Sequence, residues 1–339
     1  MKVLISSYHN PNFINTSVYR EKAFEYLGHE LFVFDDRRFL VPGRIRQLLP
    51  AIEIWDLKRL NQALLKRIRD IKPDFYLSVG GQRILPETVK AIRDAGVSLA
   101  LWTTDAPVDF KNILQSAPFY DHLFCAGSEA CDIFIQNRFN NVTWLPFACD
   151  PAFHHPVELT KDDIQQFGRD VAFVGSYYPN RAKLLNIISD LNFGVWGPYW
   201  EKAADYPELL KKTISAKINY DQWVRIYSAA KITVVVHYQN PDVPCYQASP
   251  KLFEALACGA FVLVDRQKDA ERLFKDGEHV VYFDDDKDLK EKVSYYLAHA
   301  EHRRRIAEQG LRCVREYHRY QDRIKQMLDI MQSIGRKKT

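Results

Sequence analysis

Short runs of β-branched and aromatic residues alternate with segments of helical period along nearly the whole chain. The first series predicts strands at Lys2–Ser7, Glu30–Asp35, Asp74–Val79, Ser98–Asp105, His122–Ala126 and Val142–Phe147, with helical patterns between most of them, such as Ser17–Leu27, Leu57–Ile71 and Glu87–Ala95. Runs such as SLALWTT are apolar without alternation, the signature of strands covered on both faces. The pattern pauses at CDPAFHHPVELTKDD, a proline-bearing polar stretch that reads as a linker. A second series follows at Asp170–Ser176, Phe193–Gly197, Ile232–Tyr238, Ala260–Asp265 and His279–Phe283, and from Asp288 the chain is almost wholly helical. The expected fold class is α/β: two tandem Rossmann-like, doubly wound parallel sheets with a helical C-terminus. The expected domains are residues 1–155, residues 156–318, and a final helix at 319–339. Open α/β sheets bind ligands beyond the carboxyl ends of their strands, so a cleft between two such ends is where chemistry is expected.

The length of 339 residues fits two cores better than one. No apolar run is long enough to cross a bilayer, and MKVLISSYHN reads as a buried first strand, so the expected location is cytoplasmic. The six cysteines form no CxxC pair and read as reduced core residues. The net charge of +4 is uneven: residues 301–339 carry 11 basic and 5 acidic side chains. That basic end reads either as a solvated helix face or as a peripheral contact with anionic lipid at the inner membrane face. Nucleic acid is not expected, because no basic stripe interleaved with aromatics is present.

The segment YQASPKLFEALACGAFVLVD is the richest in chemistry. Ser249 suits an N-cap and Pro250 the first helical position. Lys251 and Glu254 project from neighbouring points on one face, where the cation would attract phosphate at the helix N-terminus and the carboxylate would accept ribose hydroxyls. A plain Lys251–Glu254 ion pair explains the same spacing. In FVGSYYPNR, Gly175 and Ser176 follow a strand, and Arg181 offers a bidentate phosphate contact or an ordinary solvated arginine. Asp105 closes an apolar strand and is either a general base or a helix N-cap. His9, after the first strand, is a second candidate base. The acidic run at Asp284–Asp286 is read as a helix cap, and no metal is expected. In WGPYW the aromatics suit either nucleobase stacking or core packing.

With these residues the chain resembles two-domain GT-B glycosyltransferases, and most of all the CgeB-like (spore maturation protein) group related to family-4 enzymes. The resemblance rests on LWTTDAP, YDHLFCAGSEA, LPFACDP, DVAFVGSYYPNR, WGPYW, YSAAKITVVVH and, most specifically, SPKLFEALACG. It implies a metal-independent transferase moving a sugar from a nucleotide-diphosphate sugar, the co-substrate, to a glycan, lipid-linked or protein acceptor, with no further cofactor. By resemblance Glu254 holds the donor ribose, Lys251 stands where the group usually has arginine, Gly175, Ser176 and Arg181 sit by the diphosphate, and Gly197 lies near the base. Ser249 and Pro250 open the same motif. Asp105 then serves as base in an inverting reaction, or as a positioning residue in a retaining one. The earlier glutamate of family-4 enzymes is missing, since counting back from Glu254 reaches Tyr246 or Gln247. The resemblance also implies that the final helix returns to the first domain. A nucleotide-sugar epimerase on the same fold, or a non-catalytic nucleotide-sugar-binding protein, is the competing reading.

Overall fold

The computed structural model describes residues 1–9, 15–108, 110–215 and 219–338. These divide into two compact units, one of residues 1–9, 15–146 and 323–338 and the other of residues 147–322.

The first unit is built on six parallel strands: β1 (Lys2–Ser7), β2 (Glu30–Asp35), β3 (Phe75–Val79), β4 (Ser98–Thr103), β5 (His122–Cys125) and β6 (Val142–Trp144), in the order β2-β1-β3-β4-β5-β6. Ile5 faces Val33 on one side and Leu77 on the other, so β1 lies inside the sheet. Leu99, Ala100, Leu101 and Trp102 of β4 are all fully buried, which is why that run shows no alternation. The Trp102 indole N–H satisfies its polarity on the Leu145 carbonyl at 3.0 Å. Helices such as Pro86–Asp94 and Ser128–Gln136 cover the sheet with Val89, Ile92 and Phe134. Residues 323–338 of the last helix, Tyr320–Lys338, belong to this unit; Ile324 and Met327 are buried, and Arg323 donates to the Pro146 carbonyl at 3.0 Å.

The second unit repeats the plan with β7 (Val171–Val174), β8 (Phe193–Trp196), β9 (Thr213–Ser215), β10 (Ile232–Val235), β11 (Val262–Asp265) and β12 (Val281–Phe283), ordered β12-β11-β10-β7-β8-β9. Its first strand, β7, has β8 on one side and β10 on the other, which is the doubly wound order with its switch point between β7 and β10.

Several boundaries differ from the sequence expectation. Strand β4 stops at Thr103, and Asp105 sits two residues beyond it in an exposed turn, not at the strand's buried end. Strand β6 stops at Trp144 because Pro146 has no N–H to continue the ladder. The helix expected from Leu57 starts at Pro50, preceded by a further short helix, Gly43–Leu48. The stretch read as a linker, residues 149–163, ends inside the first turn of a helix, Lys161–Phe167, opened by a reciprocal cap between Thr160 and Asp163. Five cysteines are buried, Cys245 is partly buried, and all six are free thiols.

Candidate functional site

In the second unit the loops after β7, β8, β10 and β11 lie at the carboxyl edge of the sheet, and the helix Pro250–Ala257, which packs against β10 and β11, begins at that edge. Gly197 has φ +140°, and a Cβ there would lie 2.1 Å from the Gly175 carbonyl oxygen. Gly197 is therefore needed for the β7 and β8 loops to run backbone against backbone, while a Cβ at Gly175 would meet only the Phe173 ring and the Arg181 guanidinium, at 3.1 and 3.3 Å. The Gly175 N–H donates to the Trp196 carbonyl at 2.9 Å, and the Gly175 carbonyl accepts from the Trp200 indole at 2.9 Å. The Tyr177 N–H donates to the Pro198 carbonyl at 3.0 Å. Between them, the Ser176 N–H and hydroxyl have no hydrogen-bond partner among the described residues. The loop thus presents one polar residue with its flanking amides already spoken for.

Arg181 does not stand free as a solvated or phosphate-gripping side chain. It is buried, its Nε donates to the Val236 carbonyl and its Nη1 to the Ser176 carbonyl, both at 2.9 Å. Burial pulls its pKa below the ordinary arginine value, partly countered by Tyr178 and Asp265. The guanidinium fastens the Gly175–Ser176 loop to the end of β10. Asn180 adds a second fastening through its amide to the His237 carbonyl at 3.0 Å.

The helix Pro250–Ala257 opens as its sequence implies: Ser249 accepts from the Lys251 N–H at 3.3 Å, and Pro250 takes the first position. That cap, the missing N–H of Pro250 and the Leu252 N–H bonded to the Ser249 carbonyl leave few free amides in the first turn. What the end offers an anion is the helix dipole, the serine hydroxyl and the Lys251 ammonium. Lys251 Nζ bonds Glu254 Oε2 at 2.7 Å and lies 4.1 Å from the centre of the Trp223 ring. This is the ion pair that the spacing allowed, yet it is no surface pair, since Glu254 is only 2% exposed. Its second oxygen, Oε1, accepts no hydrogen bond among the described residues. His154 lies near the pair in the field of Glu254 and Lys251; it is fully buried, and desolvation pushes its pKa down to about 4, so it is a neutral neighbour.

Sequence reading missed His237 and Asp265. His237 Nδ1 lies 2.6 Å from Asp265 Oδ1, and the His237 backbone N–H reaches the same carboxylate at 2.9 Å. Facing a carboxylate, Nδ1 is the donor of this contact; Nε2 is buried and has no hydrogen-bond partner among the described residues. The available signal was a histidine and an aspartate each closing an apolar strand, VVVH and VLVD. In WGPYW, Trp196 and Trp200 are core residues, and Tyr199 is the exposed aromatic, at φ +71°. The acidic run works as a cap: Asp285 accepts from the Asp288 N–H, and Asp284 pairs with Arg266.

In the first unit His9 follows β1 and pairs through Nε2 with Glu21 Oε1 at 2.7 Å. Ser7 donates to the same oxygen at 3.2 Å. Burial raises Glu21 to about 7, against the lowering influence of Ser7 and Arg20. Nothing among the described residues occupies His9 Nδ1. Asp105 accepts from Gln82 Nε2 at 3.2 Å and shares its field with Asp36 and Arg83. Asp36 is buried and raised to about 6 by desolvation. Glu21 and Asp36 were also missed: one looks like an ordinary helix residue, the other like half of a surface DD pair.

Residues 181–329 match a family model described as glycosyl transferase-like. The spore protein CgeB of Bacillus subtilis (strain 168) is 24% identical across 72% of this chain and 78% of its own. Sucrose-phosphate synthase from Thermosynechococcus elongatus superposes with a TM-score of 0.72 at 11% identity, covering 98% of this chain and 99% of that one. HepE from Anabaena, solved in complex with UDP and glucose, gives 0.66 at 13% identity over 98% and 100%. At such identities the structural likeness speaks for the fold alone. The chain thus has a GT-B fold of two Rossmann-like units, which the structure comparison bears out, with a glycosyl transferase-like segment at residues 181–329 and a resemblance to the CgeB-like group that the sequence comparison bears out.

Proposed function

We propose that the protein is a glycosyltransferase that moves a sugar from a nucleoside diphosphate sugar to an acceptor hydroxyl, with the donor held by the second unit. The observation that carries this reading is Glu254: a buried carboxylate with one oxygen occupied by Lys251 and the other open, one turn into a serine-capped helix at the carboxyl edge of the sheet. An open carboxylate oxygen is the acceptor that a ribose diol requires. As the sugar departs, negative charge gathers on the diphosphate. The Lys251 ammonium, the helix dipole, the Ser249 hydroxyl and the open Ser176 N–H are the groups we assign to stabilise it, in place of a metal ion. Gly175, Gly197 and Arg181 act by shaping and fastening the loop that carries Ser176. The unpartnered His237 Nε2 suits a donor-sugar hydroxyl, a role with added weight where the earlier family-4 glutamate is replaced by Tyr246 or Gln247.

For the acceptor we assign His9 as the base. Glu21 on Nε2 fixes the ring and leaves Nδ1 to take the hydroxyl proton, the arrangement of an oriented imidazole base. Asp105, exposed and held by Gln82, is then a positioning residue.

HepE is described bound to UDP and to UDP-glucose, so UDP is the first donor fragment to test. Calorimetric titration of UDP into the intact chain is expected to show binding, and Glu254→Ala is expected to weaken it by about 10-fold or more, the value of one or two lost charge-assisted hydrogen bonds. Equal affinity in the two proteins would refute the assignment. A protein that binds UDP but releases none from UDP-sugars with any acceptor pool would be the non-catalytic alternative, and conversion of the sugar without acceptor would be an epimerase.

A further inference from the structure

The segment from Arg37 to Arg59 in the first unit has an unusual surface. Leu40, Ile45, Leu48, Leu49, Ile54 and Trp55 are each between 45% and 80% exposed. Ile45 and Leu48 stand three apart on the helix Gly43–Leu48, Leu49 is the non-helical residue joining it to the next, and Ile54 and Trp55 lie in the opening turns of that next helix. Isolated exposed apolar residues need no explanation, but a run of this density marks a contact face.

The frame beneath is well fixed. The buried Asp56 accepts from the Leu40 and Val41 N–H groups at 3.2 and 2.9 Å and pairs with Arg59 at 2.8 Å. Arg46 donates to the Val41 carbonyl and pairs with Glu53 at 2.6 Å. The apolar side chains therefore project from a braced hairpin of helices.

Charge chooses the occupant. Residues 37–59 hold six basic and two acidic side chains, an excess equal to the +4 of the entire chain. Both acids are consumed internally, by Arg46 and Arg59. Arg38, Arg44 and Lys58 are left without an ion pair among the described residues, two of them flanking the apolar run and one within it. A second copy docking through the same face would set this positive charge against itself. An anionic bilayer complements it, with Leu48 and Trp55 entering the headgroup boundary while the cations remain among the phosphates. We propose that this face is a peripheral docking site for an anionic lipid surface. The inference is independent of the donor reading.

The test is cosedimentation of the full chain with vesicles of phosphatidylcholine, alone or with about one third phosphatidylglycerol, at low and high salt. Binding at least about 10-fold tighter to the anionic vesicles, weakened by salt, is expected, as is loss of about 10-fold or more in a Leu48→Ser, Trp55→Ser double variant. Both residues are exposed, so the variant's melting profile and UDP affinity should match wild type, which separates failure here from failure of the donor assignment. Replacing Arg336, Lys337 and Lys338 by Gln should leave binding largely intact. Equal binding to neutral vesicles, or a double variant that binds as wild type, overturns the proposal. So does a loss confined to the C-terminal variant. A concentration-dependent dimer abolished by the double variant would assign the face to a second copy and overturn it as well.

Discussion

Gly197→Ala is the sharpest test of how the second unit's loops are built. The added Cβ would fall 2.1 Å from the Gly175 oxygen and 2.6 Å from its carbonyl carbon, distances no relaxed side chain shows. The obstacle is backbone, and Gly175 is held there by the Trp196 carbonyl and the Trp200 indole. The φ of +140° adds strain for any L side chain, of about 1–3 kcal/mol. Forcing the loops apart costs roughly another 1–3 kcal/mol in overpacking. Together these give about 2–6 kcal/mol, which lowers the second unit's melting midpoint by roughly 4–24 °C for a domain of this size. The control is Gly277→Ala: φ there is +69°, but nothing lies within 4 Å, so only the backbone strain of about 1 kcal/mol applies. Thermal melts followed by near-ultraviolet circular dichroism compare the two. Because Gly175 carries the loop of Ser176, UDP affinity measured below the transition should also fall in Gly197→Ala and not in Gly277→Ala. A Gly197→Ala protein as stable as Gly277→Ala, binding UDP like wild type, would refute the close backbone approach and the phosphate role of the loop.

Arg181→Lys keeps a cation but loses the fork that reaches both the Ser176 and Val236 carbonyls; it should cost about 2–4 kcal/mol in urea unfolding and weaken UDP binding through the loop. Glu21 has a folded pKa raised from 4.5 to about 7, so the folded state binds the extra proton and stability falls as pH rises between those values. Glu21→Gln should therefore gain stability at pH 8 relative to wild type and little at pH 4, as urea midpoints at the two pH values will show. The same carboxyl must ionise before it can accept the His9 proton, so transfer activity should rise through about pH 7, and Glu21→Gln should remove that limb of the profile. His154 behaves with the opposite sign: its folded pKa is lowered to about 4, so stability is full above 6.5 and declines as pH falls towards 4. His154→Gln should flatten that acid-side loss in the same urea series.

Where apolar runs were long and covered on both faces, pattern and structure coincide. SLALWT, HLFC, VAFV and VLVD are strands because burial on both sides leaves no room for alternation, and the parallel order follows from the helices between them. The failures have particular causes. Thr213–Ser215 is three residues long at a sheet edge, too short for any period. The start of the long helix at Pro50 was hidden because Ile54 and Trp55 face outward, so the apolar positions do not follow a single buried stripe. The same residues that obscured the helix mark the docking face.

The site was legible to the extent that its residues are local. Ser249, Pro250, Lys251 and Glu254 occupy one helical turn, so spacing alone placed cap, cation and carboxylate together, and the structure adds that Glu254 is buried and Lys251 rests on Trp223. Partners from distant parts of the chain were beyond reach of spacing. Nothing in FVGSYYPNR says that Arg181 must reach the Val236 carbonyl, and a strand ending in histidine gives no sign that an aspartate 28 residues later will hold its Nδ1. Those contacts arise because the β7–β10–β11 order sets three strand ends side by side at one edge. The same order explains why Arg181 fastens the loop and does not hang in solvent: a guanidinium emerging beside the β7–β10 switch point meets two carbonyl groups that the ladder has left unpaired, and pairing buried carbonyls outweighs exposing the charge. Under the proposed function, phosphate binding at this edge falls to Ser176, Ser249 and the Lys251 ammonium paired with Glu254, and arginine is the brace that keeps the first of them in place.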